Sequence, residues 1–159
     1  MKKLFLVASL VLVAFVFTAN AQVKFGHIDI QQLIQVMPER QTAVKELEKT
    51  AGELEEMLGT MNTELQTMYQ QYIEKRDSMS DLVRQAKEED INAKQQRIET
   101  FRAQADQQLQ QKQGDLMKPI IEKADKTIAE VAKEMNLLYV FDVSSRVVLY
   151  KSTESVDVL

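Results

Sequence analysis

The chain carries a single histidine, His27, and no cysteine, so any hydrolytic or metal chemistry must run through one imidazole and the carboxylates near it. His27 stands two residues before Asp29, and on a strand the two side chains share a face. A Ser–His–Asp arrangement would have to use that pair, yet neither a nucleophile elbow nor an oxyanion loop accompanies it. One His without Cys excludes a His/Cys metal cluster, and no stretch has the ligand spacing of a zinc or calcium loop. The four glycines, Gly26, Gly52, Gly59 and Gly114, are scattered, so no glycine-rich loop cradles a phosphate. The carboxylate runs Glu55-Glu56 and Glu88-Glu89-Asp90 fall on helical stretches as solvated faces. These residues predict a protein that is not an enzyme and uses no cofactor and no metal, with His27 as a structural strand position.

The elements around that strand begin with an export signal. MKK is a positive start, Leu4 to Phe17 is an unbroken apolar run, and TANA ends in Ala19-x-Ala21, a small-residue cleavage pattern. The run falls short of the roughly 20 residues a spanning helix needs. Residues 1–21 are therefore expected to be cleaved, so that the mature protein starts at Gln22 and is exported. The whole sequence has a formal charge of −4; losing Lys2 and Lys3, with no acid in the signal, leaves −6. No basic excess points to nucleic acid, and no polybasic patch points to anionic lipid. An exported chain without cysteine has no disulfide framework to hold it.

From Val44 the apolar residues keep a 3-4 spacing: Val44, Leu47, Ala51, Leu54, Leu58, Met61, Leu65, Met68, Tyr72, then Lys75, Met79, Leu82 and Ala86. Lys75 alone breaks the stripe, and such a stripe is a coiled-coil seam. A second helical stretch runs through Ile91, Ile98, Phe101, Ala105, Leu109, Leu116, Ile120, Ala124, Ile128, Val131 and Met135 with a drifting period. Pro119 removes a donor inside it and predicts a kink. Between the two stretches RDSMSD offers Ser78 and Ser80 as caps, so a reversal is expected near 78–80. This gives a helical hairpin arm over 38–135. VKFGHIDI before it is a short strand. After it, LLYVFDVSSRVVLYK contains two β-rich runs split by Ser144-Ser145, a β-hairpin signal. The fold class is mainly α with a small β body: a long antiparallel helical hairpin on a base made from N- and C-terminal strands, at 22–37 and 136–159. Val23, Phe25, Ile28, Leu138, Val140 and Val148 are the expected body residues. Three short strands make a small core, which predicts stabilisation by oligomerisation.

The remaining signal is surface. Met61 and Met68 sit on the seam as core, whereas Met57 and Tyr69 lie just off it, and Tyr72 and Met79 stand toward the distal end. Flexible methionine suits contact with varied apolar partners, so Met57, Tyr69, Tyr72 and Met79 are candidate contact residues for apolar partners.

Two stretches carry a family likeness: KFGHIDIQQLIQVMPE near the start and MKPIIEKADKTIAEVAKEMNLLYVFDVSSRVVLY near the end. With the export signal and the long hairpin between them, the chain resembles the Skp/OmpH family of periplasmic chaperones. The resemblance implies a homotrimer whose strands pool into a small body. It further implies hairpins that hold unfolded outer-membrane proteins between them and prevent aggregation without ATP. Well-studied members are strongly basic, and at −6 the mature chain departs from them, so membrane-surface contact is not carried over. The residues alone also fit a structural coiled-coil spacer or adaptor of the envelope with one dedicated partner.

Overall fold

A computed structural model of the chain describes residues 23–159; the signal segment with Ala19 and Ala21 lies outside them. The described chain forms two units, one from residues up to 30 together with 127–159, the other from 31–126.

The first unit is built on β1 (Lys24–Ile28), flanked by β2 (Leu137–Asp142) and β3 (Val156–Asp157) in the order β2-β1-β3. Both pairings are parallel, with Gly26 beside Val140 and also beside Val156, and with His27 beside Phe141 and Asp157. The ladder runs on past β2, where the Val143 amide donates to the Ile28 carbonyl at 2.9 Å. Gly26 sits in close approach to β2: a Cβ there would lie 2.7 Å from Leu137 Cδ1, so the end of that side chain would have to shift. Ile28 on the same face is buried, whereas Phe25 on the opposite face is largely open.

The β-hairpin expected from LLYVFDVSSRVVLYK does not form. Only its first run is a strand, and the second neighbour of β1 is β3, beyond the expected hairpin. Asp142 explains the departure. Its carboxylate accepts the Ser144 amide and hydroxyl, both at 2.9 Å, closing a local turn, and Arg146 then takes φ 57°. Beyond that left-handed step residues 147–150 form no strand. Val148, expected in a body strand, is half-buried outside any strand.

The second unit is a helical hairpin. A short helix α1 (Ile30–Val36) leads to Met37, whose extended backbone (ψ 131°) is what a following proline imposes, and Pro38 starts α2 (Pro38–Lys75). A 3-10 turn at Arg76–Ser78 ends α2, and α3 (Asp81–Glu134) returns. Ser78 Oγ donates to the Lys75 carbonyl at 2.8 Å, while Ser80 Oγ accepts the Val83 amide at 3.4 Å, so each serine serves one helix end. α3 runs unbroken through Pro119. Asn136, with φ 54°, forms the left-handed step between α3 and β2.

At the root of the hairpin Met37, Ala43, Ile120 and Ala124 form a buried cluster backed by Leu33, Ile34, Leu116 and Met117. The α2 seam faces inward from Leu47 to Tyr72 and then fails: Lys75 is exposed, and Leu82 is 79% exposed. On α3 the inward series includes Lys94 and Lys112, at positions where the apolar spacing skips. Their stems lie along the seam while the ammonium groups reach Glu64 and Glu46 of α2. The drift in the α3 period is therefore partly two lysines doing an apolar residue's packing.

Candidate functional site

The sheet face carrying Phe25 also carries Tyr139 and Phe141, brought together by the parallel register. Phe25 and Tyr139 stack with centroids 6.3 Å apart and planes 9° apart, and Phe141 lies 6.2 Å and 6.0 Å from the other two. All three rings remain exposed. Beyond the strands, Val147, Leu149 and Tyr150 are 81%, 93% and 83% exposed. A cleft of about 350 Å³ separates the two groups, walled by Phe25, Phe141, Val148 and Tyr150, with His27 and Lys151 inside. Of the expected body residues, Ile28 is buried and Val140 half-buried, while Val23, Phe25 and Leu138 present exposed apolar surface.

His27 is 6% exposed. Its partners come from the C-terminal segment: Ser155 Oγ lies 2.9 Å from Nδ1, Lys151 Nζ 2.6 Å from Nε2, and Asp157 Oδ2 3.5 Å from Nε2. The three residue types of a hydrolytic triad thus meet, but with the wrong polarity. The lysine ammonium has only protons to give, so Nε2 accepts and Nδ1–H donates to Ser155 Oγ. A base that donates to the hydroxyl does not activate it. The Ser155 amide is spent on the Ser152 carbonyl at 3.1 Å, and the Asp157 side chain is mostly in solvent. The geometry is a polar clasp fixing residues 151–157 to β1. Nothing in the sequence pairs Lys151 or Ser155 with His27, because neither stretch has a period that predicts register.

Asp142 holds a second clasp. Besides Ser144 it accepts the Ile30 amide at 3.4 Å, tying β2 to the first turn of α1. The Ser144 amide is the main cause holding its carboxyl below the ordinary value, against the effect of burial, with the Ser144 hydroxyl and the Ile30 amide adding to it.

On the hairpin, Met57 and Tyr69 are each 53% exposed, on the outer face of α2. Tyr72 and Met79 instead meet Met68 and Ile91 in a cleft of about 180 Å³ near the 3-10 turn. The Tyr72 hydroxyl donates to Glu88 Oε1, which raises the phenol above its ordinary value. The four candidate contact residues therefore separate into two exposed positions and one shared cleft.

The family model described as outer membrane protein (OmpH-like) matches residues 24–159, nearly all of the chain. The chain belongs to the OmpH-like family. The OmpH-like fold matches the architecture here, two long helices with a small parallel sheet from both chain ends. Membership supports a chaperone-type role toward outer-membrane proteins, in a family that is not enzymatic. OmpH-like proteins bind unfolded outer-membrane proteins. No curated protein matches this OmpH-like chain closely enough to specify the role further. Among the described residues no group of His, Cys, Asp and Glu could hold a metal, and no helix is long and apolar enough to cross a membrane.

Proposed function

We propose that the protein is an ATP-independent holdase of the periplasm, exported by cleavage after Ala21, that assembles as a homotrimer and keeps unfolded outer-membrane proteins from aggregating. The observation that carries this reading is the uncovered apolar surface of the strand unit. Phe25, Tyr139 and Phe141 on one side and Val147, Leu149 and Tyr150 on the other are arranged around strands with unpaired edges. A run such as RVVLY has the composition of a strand and lacks a ladder, and a second and third copy would supply one. The assembled chains would then hold a client between several hairpins, each contact weak and the whole retained by multivalency. Release without ATP follows when a partner folds the client more favourably. Met57 and Tyr69 are proposed as client contacts on the outer face of α2, and Tyr72 and Met79 in the cleft near its end.

Light scattering on the mature chain, followed by aggregation of a denatured β-barrel protein, tests the reading. A mass of three chains with aggregation suppressed at near-stoichiometric trimer is expected. A monomer, or a client that precipitates as fast as in buffer, overturns it. Capture of one dedicated partner without any effect on aggregation would favour the envelope spacer instead.

A further inference from the structure

Cross-helix ion pairs repeat along the hairpin with one sense. Lys123 reaches Glu39, Lys112 reaches Glu46 and Lys94 reaches Glu64, each time a lysine of α3 meeting a carboxylate of α2. Near the reversal the pattern breaks. Lys75 of α2 and Lys87 of α3 line one cleft, so a cation stands where the series would place a carboxylate. Among the described residues Lys75 has no ion-pair partner, and Lys87 has only Asp90 of its own helix, 3.9 Å away. Glu88, next to Lys87 in sequence, is engaged by the Tyr72 hydroxyl.

The same cleft is of mixed character: Met68, Tyr72, Met79 and Ile91 form its apolar part and Gln71 with the two lysines its polar part, around about 180 Å³, room for one large side chain. It stays open because Lys75 takes the seam position an apolar residue would fill, and because α2 gives way there to the 3-10 turn. Apolar lining and two lysines lacking a cross-helix acid define the missing occupant by complementarity.

We propose that this cleft takes an internal segment of an unfolded client in which an apolar side chain stands beside an Asp or Glu. The side chain enters among Met68, Tyr72, Met79 and Ile91, and the carboxylate lies between Lys75 and Lys87. This inference rests on the holdase reading and adds a sequence preference to it. Methionine lining adapts to side chains of different shape, while the lysine pair selects against basic neighbours.

The test uses the full mature protein and fluorescent twelve-residue peptides, capped at both ends except for the third. One alternates Leu with Asp, a second alternates Leu with Lys, and a third has Leu at a free C-terminus and no internal acid. Anionic phosphatidylglycerol vesicles form a fourth arm. The acidic peptide is expected to bind about tenfold more tightly than the basic one, the scale of one charge-assisted contact. Lys75→Glu recreates the cross-helix pair with Lys87, so it should fold with unchanged helicity and lose that preference. Met79→Ser should weaken both peptides. Equal binding of acidic and basic peptides overturns the proposal. Binding of only the free-terminus peptide does so too, as does a Lys75→Glu effect confined to vesicles. A wild-type protein that suppresses aggregation without peptide preference sinks this inference alone. One that prefers the acidic peptide yet fails to suppress aggregation sinks the holdase reading and leaves the cleft standing.

Discussion

In the hairpin, Ala43, Ile91, Ile98, Ala105, Ile120 and Ala124 are buried by the chain itself, spread from root to tip. Among the described residues of the strand unit only Gly26, His27 and Ile28 are buried, and most of the aromatic side chains are exposed. The hairpin gains stability locally, from i→i+4 hydrogen bonds and a narrow seam, and no single residue along it is decisive. The strand unit has three short strands and two polar clasps, too little apolar burial to offset the ordering of its chain. Regions of one polypeptide thus face opposite problems. The hairpin is complete as a single chain but has little core to spare, while the strand unit carries surplus apolar surface that a single chain cannot cover.

The sharpest way to break this comparison is to remove the surplus. Replacing Val147, Leu149 and Tyr150 together by Ser is expected to convert the proposed trimer to monomers by light scattering while helical circular dichroism persists. An unchanged mass would mean that this surface has no part in assembly. The converse change, Ile98→Ala in the hairpin, should cost about 2–4 kcal/mol in chemical denaturation without dissociating the proposed trimer. Gly26→Val should cost about 1–3 kcal/mol by overpacking against Leu137, lowering the midpoint for dissociation of the proposed trimer before that of the helices. The smallest effect is set by pH. Asp142 titrates below its ordinary value of 3.8 when folded, so its stabilisation is complete above that value and lost as pH falls through the depressed one. Amide exchange at Ile30 and Val143 should accelerate in that acid window, and Asp142→Ala should show the faster exchange already at neutral pH.

The hairpin was legible because periodicity is a property of neighbours in sequence. The α2 seam from Leu47 to Tyr72 is written in Leu, Met and Ala at heptad spacing. The α3 seam was only half visible, since Lys94 and Lys112 pack by their stems but count as charges. The strand unit was legible in composition and not in pairing. Runs such as YVFD announce strands, but which neighbours they take depends on the turn at Asp142 and on φ at Arg146. Likewise His27 was legible as a strand position, but its partners Lys151, Ser155 and Asp157 lie more than 120 positions away and carry no spacing signal. The tip cleft was half legible: Lys75 stood out as the break in the stripe, but Lys87 gained meaning only once α3 lay opposite.

The parallel pairing of β1 with β2 and β3 also constrains time. β1 ends at Ile28, and its first partner starts at Leu137, so the sheet has high contact order although most of the chain folds through local contacts. A chain exported from its N-terminus delivers β1 first and its partners last. The two helices can form during that interval, and their antiparallel return shortens the loop that must close. For as long as the C-terminal strands are missing, β1 is an unpaired edge of the kind the protein is proposed to protect in others.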